Sequence, residues 1–374
     1  MNAHLPSRAA LAALACLALA AHAQEKEMAA SGGRLPPVKS RFEVTDRAWP
    51  EKAGDASVCL WKDDAIAALS LTVDDNTAPD HPWWLEMSAK HGLRVTWFVI
   101  TGRVSKDNAY FGTWEGFRKL LAAGHDVQSH TVTHLHKDEA GWGGVEWEYA
   151  ESKKALETNL PGHRALALAY PGGQNSSLND PSIAAKYYLG CRGTTGSMNP
   201  ADRINYLQTN SLGALNLDES PFESQNLKAA LEKGAAKNKS LYRAWYCAHF
   251  HQVKPEAREK TEKAFAYVSE KVKAGELWLG LFAEVIRYGQ ERDSATVKTV
   301  EAGAQQVRLA LADGVEDARF DFPLTLKVRL PDGWATATAK QAEKAVPARV
   351  VENEGKKYAL VDAVPDRGEI VLQP

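Results

Sequence analysis

The chain has 374 residues, with 45 basic and 47 acidic side chains and a formal net charge of −2 at neutral pH. Near neutrality argues against nucleic acid or an anionic lipid surface as the main partner, since either needs a strongly basic face. The 44% apolar composition is enough for real cores, and a chain of this length allows about two domains.

Met1 to Ala23 reads as an export signal: Arg8 is the basic start, Ala9 to Ala21 the apolar core, and Ala21-His22-Ala23 the cleavage pattern. The mature chain is then expected to begin at Gln24 and to act in the periplasm or as a secreted protein. Ala13-Leu14-Ala15 fits a lipoprotein site at Cys16 poorly. No later apolar run approaches the roughly 18 residues of a membrane span, so no transmembrane anchor is expected. Residues 24–55, rich in Ala, Gly, Pro and charge, read as a flexible lead-in. Cys59, Cys191 and Cys247 remain in the mature chain. An odd count permits at most one disulfide, and the simpler reading is three small buried side chains.

Within a domain expected over residues 56–293, strand and helix patterns alternate from Ala65 to about Arg292. Strands are predicted at Ala65 to Val73, Arg94 to Ile100, Asp126 to Ser129, Ala165 to Tyr170, Leu241 to Phe250 and Leu277 to Leu281. Helices are predicted at His81 to His91, Trp114 to Ala123, Trp147 to Asn159, Pro181 to Leu189, Pro255 to Ala274 and Ala283 to Arg292. Such alternation implies parallel strands and a β/α barrel. In residues 294–374 the period changes to short strands separated by turns such as Pro331-Asp332-Gly333. That pattern predicts a small β-sandwich-like domain. Thr325 to Leu330 alternates polar and apolar residues, which predicts one face inward and one toward solvent. Phe320, Phe322, Trp334 and Tyr358 are few enough for a core to use them all, so a structural or positioning role is expected, with glycan binding as the alternative.

Four polar clusters stand at successive strand ends. The run Ser70-Leu71-Thr72-Val73 ends in Asp74-Asp75-Asn76. Side chains alternate along a strand, so the two carboxylates can meet one site only where the chain turns. Capping of the following helix is the competing reading. His130 and His134 are four apart, so a helical turn would bring both imidazoles to one side, as for a divalent metal. Thr131 stands where a zinc protease has its glutamate, so a base must come from elsewhere, and Asp74 and Asp75 are the available carboxylates. Tyr170-Pro171-Gly172-Gly173 closes a strand with glycines that let backbone N–H groups approach a ligand; Gly172 could serve an oxyanion, or the segment is a plain turn. His249 and His251 share one strand face with Trp245 and Cys247, and at least one of the two histidines reads as a hydrogen-bonded core residue. Pro82-Trp83-Trp84, Trp142 and Trp147 could face sugar rings, although buried aromatics are the alternative for at least half of them.

Together these residues resemble the polysaccharide deacetylase family, also called carbohydrate esterase family 4 or the NodB homology domain. Thr72-Val73-Asp74-Asp75-Asn76 is similar to its T-F-D-D-G motif. His130-Thr131-Val132-Thr133-His134 is similar to H-(S/T)-x-x-H, Ala169 to Gly173 to R-x-P-x-G, and Trp245 to His251 to the late strand ending in His. The resemblance covers roughly Ala56 to Arg292 and implies a distorted (β/α)7 barrel that removes acetyl groups from carbohydrate with a divalent metal, usually zinc, with cobalt, nickel or manganese admitted. It implies Asp75, His130 and His134 as metal ligands, Asp74 as general base, and His251 as the late acid, with His249 in reserve. Two departures stand out. Asn76 replaces a glycine, and Ala169 replaces the arginine that braces the catalytic Asp; Arg192, after the next helix, is the candidate replacement. The expected substrate is an acetylated glycan, N-acetyl before O-acetyl, with a xylan-type O-acetyl esterase and a catalytically silent carbohydrate-binding protein as alternatives.

Overall fold

The structure, a computed structural model, describes residues 49–105, 109–174, 176–235 and 240–374. The predicted export signal, residues 1–23, and residues 24–48 of the predicted lead-in lie outside the described residues. The first described strand, β1 (Ala56–Val58), stands inside the range expected for the barrel domain but is not one of the predicted barrel strands. It pairs antiparallel with a strand near residue 327, in the C-terminal part of the chain.

The barrel strands are β2 (Ala67–Val73), β3 (Val95–Val99), β4 (Asp126–Ser129), β5 (Ala167–Ala169), β6 (Gly190–Arg192), β7 (Trp245–Phe250) and β8 (Leu277–Leu279). All pair in parallel, in the order β6-β5-β4-β3-β2-β7, with β8 also on β2. The helices are α1 (His81–His91), α2 (Trp114–Ala122), α3 (Val145–Asn159), α4 (Pro181–Ala184), α5 (Leu227–Lys233), α6 (Pro255–Lys273) and α7 (Phe282–Ser294). β6 and α5 were absent from the sequence reading, since three and seven residues carry too little periodicity.

Every residue of β2 is buried, because a strand of this kind is covered on both faces. Ala67, Leu69, Leu71 and Val73 pack outward into a layer that includes Trp84, Phe265 and Val268. Ala68 faces inward with Phe98, Ala169, Trp245 and Cys247. The inward hydroxyls are paired: Ser70 donates to the Gly280 carbonyl at 2.8 Å and Thr72 to that of Ala248 at 3.0 Å. Among the described residues between β6 and β7 no regular strand closes the barrel. The irregular stretch 206–212 fills that gap, with Thr209 bridging Arg192 on one side and Leu212 bridging Ala248 on the other. The fold is therefore the expected distorted (β/α)7 barrel, with a seam at one place.

The remaining strands are β9 (Thr296–Ala302), β10 (Val307–Ala312), β11 (Leu324–Arg329), β12 (Thr338–Gln341), β13 (Lys344–Val346), β14 (Ala348–Asn353), β15 (Lys356–Ala363) and β16 (Ile370–Gln373). They form two antiparallel sheets, β1-β11-β15-β14 and β13-β12-β16-β10-β9. β10 alternates as expected, with Val307, Leu309 and Leu311 buried. β11 does not: all six residues are buried, including Lys327 and Arg329. Its polar side is covered by the segment just after β1, where Lys327 pairs with Asp64 at 2.7 Å and the Asp63 N–H donates to Thr325 Oγ1 at 3.0 Å. The predicted solvent face is thus an internal seam. Trp61, Trp278 and Tyr288 belong to one apolar cluster with the sandwich residues Leu324, Leu326 and Val328. Barrel and sandwich share a core. Cys59, Cys191 and Cys247 are free and buried.

Candidate active site

Asp74 continues the inward alternation of Ser70 and Thr72, and its N–H donates to the Phe250 carbonyl at 2.8 Å. The chain then turns through left-handed backbone at Asp75 (φ 57°) and Asn76 (φ 65°), a conformation that costs a non-glycine residue about 1 kcal/mol or more. The turn swings Asp75 back over the barrel mouth beside Asp74. Asn76 is suited to hold it there: its Oδ1 accepts from Ile100 N–H at 2.7 Å and its Nδ2 donates to the Phe111 carbonyl at 3.0 Å. Neither aspartate caps α1, whose N-cap is Asp80.

The histidine loop follows β4. The helical turn expected over residues 130–134 is absent, and Thr131 (φ 68°), His134 (φ 66°) and Leu135 (φ 58°) are left-handed instead. The two rings still converge, with centroids 4.8 Å apart. The reason lies partly in Glu148 on α3, which the sequence reading missed. Fully buried, it accepts from the N–H groups of Val132 at 2.7 Å and Thr133 at 2.9 Å, and from the Thr133 hydroxyl. An acidic residue in the first turn of the helix after the motif is the one clue the sequence carried.

His130 Nδ1 faces the Ala169 carbonyl at 2.8 Å, which assigns hydrogen to that nitrogen and leaves Nε2 as a donor atom for a metal. His130 Nε2 and His134 Nε2 lie 3.4 and 3.7 Å from Asp75 Oδ1. Tetrahedral donors about 2.0–2.1 Å from an ion sit about 3.3 Å apart, so the set fits. Asp75 Oδ1 is also buried with no hydrogen-bond partner among the described residues, which is costly unless a cation takes it up. Burial pushes the Asp75 carboxyl up, but His130, His251 and His134 outweigh it and bring it down to about 2. Burial and His130 push the His134 imidazole down to about 4, the neutral state that a metal ligand requires.

Asp74 is dressed differently. Its Oδ2 accepts from Arg192, in a pair that is 0% and 4% exposed, while Oδ1 has no partner among the described residues. Burial raises this carboxyl, yet Arg192, then the histidines 130, 249 and 251, leave it below the ordinary value. Arg192 is the register partner of Ala169 across β5 and β6. The bracing cation has moved to the next strand. Arg192 also donates to Ser211 Oγ at 3.1 Å, and that hydroxyl lies 2.8 Å from His249 Nδ1. Burial, then Arg192, pushes His249 down to about 4. His251 lies beyond the strand, more than half exposed, with Nε2 3.6 Å from Asp75 Oδ2. The loop after it is latched by buried Asp80, which accepts from Val253 N–H at 2.6 Å and from Arg258 at 3.0 Å.

Gly172 stands in the loop after β5 at φ 69°, and its N–H makes no hydrogen bond among the described residues. Trp83 and Trp84 are core residues of the α1 layer, so they offer no sugar platform. Trp142 and Trp147 are half-buried. Tyr110 and Phe222, which the sequence reading did not single out, are 41% and 63% exposed.

Residues 62–192 match the family described as polysaccharide deacetylase. A gellan lyase from a Bacillus species is 34% identical over 363 residues, covering 91% of this chain and 14% of that protein. A chitooligosaccharide deacetylase from Sinorhizobium fredii is 33% identical over 95 residues, 25% of this chain and 41% of that protein. The chain thus spans well under two thirds of the length of either relative. Among solved structures, the Streptococcus pyogenes deacetylase PplD in complex with acetate is 27% identical, covering 38% of this chain and 62% of that one at a TM-score of 0.34. A family 4 acetyl xylan esterase from Clostridium thermocellum, in complex with a cobalt ion, is 16% identical over 58% of this chain and 89% of that one, with a TM-score of 0.35.

Proposed function

We propose, from the premise that residues 62–192 form a polysaccharide deacetylase domain, that this chain is a metal-dependent hydrolase removing acetyl groups from an extracytoplasmic glycan. The observation that carries the reading is the unequal setting of two adjacent carboxylates. Asp75 turns an unpartnered oxygen toward two imidazole nitrogens, while Asp74 keeps one oxygen on Arg192 and the other unpartnered. One is set up to ligate and the other to accept a proton.

Asp75, His130 and His134 would hold the ion, and their donors suit zinc while admitting cobalt, nickel or manganese. Such an ion supplies acidity to a water molecule and polarises the acetyl carbonyl. Asp74 Oδ1 takes the proton of the attacking water, and Arg192 keeps that carboxylate charged and aimed. The Gly172 N–H is the donor for the carbonyl oxygen as negative charge grows on it. An imidazole at the end of β7, His251 or His249, hands a proton to the departing amine or alcohol. The near-neutral charge supports an uncharged or weakly charged glycan, N-acetylated before O-acetylated. Residues 1–23 support export.

Acetate release across chitooligosaccharides, acetylxylan and peptidoglycan fragments tests this reading, with chelation followed by restoration of single metals. The expected result is release from at least one N-acetylated glycan, lost on chelation. Binding to the panel without release would establish the silent carbohydrate-binding alternative instead. Undiminished release from metal-stripped His130→Ala would remove the metal from the mechanism.

A further inference from the structure

We infer that Ser211 is a positioning residue that fixes the tautomer of His249 and ties it to Asp74 through one guanidinium, making His249 rather than His251 the proton carrier of the site. The assignment of that role to chemistry rests on the hydrolytic reading above. The hydrogen-bond accounting does not.

Ser211 is fully buried on the irregular stretch that closes the barrel. Its Oγ has three polar neighbours: the Gly193 carbonyl oxygen at 2.5 Å, Arg192 Nη1 at 3.1 Å and His249 Nδ1 at 2.8 Å. A hydroxyl has one proton to give and two lone pairs to receive. A carbonyl only accepts, and this one makes the shortest contact, so the hydroxyl proton goes to Gly193. A guanidinium only donates, so Arg192 takes one lone pair. The remaining lone pair can serve His249 only if Nδ1 carries hydrogen.

The consequence is a defined ring. Neutral His249 has its lone pair on Nε2, so any proton it gains or loses there leaves the Ser211 contact unchanged. Nε2 makes no hydrogen bond among the described residues, and it borders Gly213, where even an ideal Cβ would stand 3.5 Å away. Glycine leaves that edge of the ring uncovered. Arg192 meanwhile holds Asp74 Oδ2 with its other arm. Base and proton carrier are therefore fixed to the same cation, which orients both before substrate arrives. His251 has no such anchor: its side chain is 56% exposed, and its one ion pair among the described residues is with Asp75, at 3.6 Å.

In the reaction, water oxygen bonds to the acetyl carbon and its proton goes to Asp74 Oδ1. Asp74 passes that proton, directly or through solvent, to the free Nε2 of neutral His249, and as the carbon to nitrogen or oxygen bond breaks the leaving atom takes it from there. Asp74 ends ionised and His249 neutral, as both began.

The test compares the wild type, Ser211→Ala, Ser211→Thr and His251→Ala as full-length proteins. An acetylated glycan needs its leaving group protonated, whereas an aryl acetate expels a phenolate that does not. In Ser211→Ala the ratio of glycan to aryl acetate kcat is expected to fall at least about tenfold, within the range that general acid catalysis supplies. Ser211→Thr is expected to restore it, and His251→Ala to leave it near the wild-type ratio. Equal losses on both substrates, or a larger ratio change in His251→Ala, would overturn the inference. A second readout needs no turnover. Imidazole ¹⁵N spectra, with His249 assigned by its absence in His249→Gln, are expected to show the neutral Nδ1–H tautomer in the wild type and its loss in Ser211→Ala. An Nε2–H tautomer in the wild type would refute the positioning role even if no acetate is ever released, so the two readings fail separately.

Discussion

Exchanging Arg192 and Ala169 asks whether the charge beside Asp74 depends on its strand or only on its place. The two are register partners on β5 and β6 and both are fully buried, with backbones about 4.8 Å apart. Arg192→Ala alone strands a buried carboxylate and removes a donor from Ser211, at about 3–5 kcal/mol. Against a typical total of about 5–15 kcal/mol, that is a large fraction. Ala169→Arg alone forces a second long cation into a filled interior, costing about 1–3 kcal/mol or more. The double variant vacates the space the new arginine needs and returns a cation to Asp74. A coupling of at least about 2 kcal/mol is therefore expected between the two positions. Urea unfolding midpoints of the four proteins give the cycle, and acetate release shows whether the transposed cation supports turnover. Additive stabilities, or Arg192→Ala with wild-type stability and acetate release, would refute the reasoning.

Glu148→Gln keeps one acceptor but turns an amide NH₂ toward backbone donors that the carboxylate satisfied. The histidine loop should loosen, with metal affinity falling about 10- to 100-fold by chelator competition, and an unchanged affinity would show that Glu148 does not position the ligands. Glu291 is buried on α7 with one oxygen on Phe322 N–H at 2.9 Å and the other without a partner among the described residues. Burial, helped by Asp313 and Asp321, pushes its carboxyl up to about 8. The folded state therefore binds the proton more tightly. Its contribution is complete below the ordinary value near 4.5 and is lost as pH rises to about 8, by at most ~5 kcal/mol. Urea midpoints at pH 5 and pH 9 should converge in Glu291→Gln, and an unchanged pH slope would refute the assignment. Truncation after Ser294 should prevent cooperative folding, because it uncovers Trp61, Trp278 and Tyr288, each worth about 4–6 kcal/mol of burial. A cooperative melt of the shortened chain would show that the shared core is dispensable.

The barrel was legible because its strands are buried runs that end in polar residues, and because Asp74, Asp75, His130 and His134 keep a spacing that chemistry reuses. What escaped is what depends on neighbours distant in sequence. Arg192 could be suspected from the missing arginine at Ala169, but its arrival at Asp74 is a matter of register, and β6 is three residues long. The histidine pair was expected on a helix and converges through left-handed turns instead, since Glu148 supplies the hydrogen bonds that a helix would have made internally. Lys327 and Arg329 were read as a wet face, because alternation reveals polarity but not whether another segment covers it. Trp83 and Trp84 follow the opposite course, being apolar enough for the core to claim them.

The pairing of β1 with β11 also sets an order of events. As the chain is made, Ala56 can meet its partner Val328 only after every barrel strand has been produced. Contacts so distant along the chain close slowly, because the loop entropy is lost before the contact is gained. The segment carrying Trp61 thus stays unseated until β11 has been made. A late stitch of the molecule is made by its first described strand, and a barrel without it is an intermediate with an open apolar base, a natural point of capture for a chaperone or a protease.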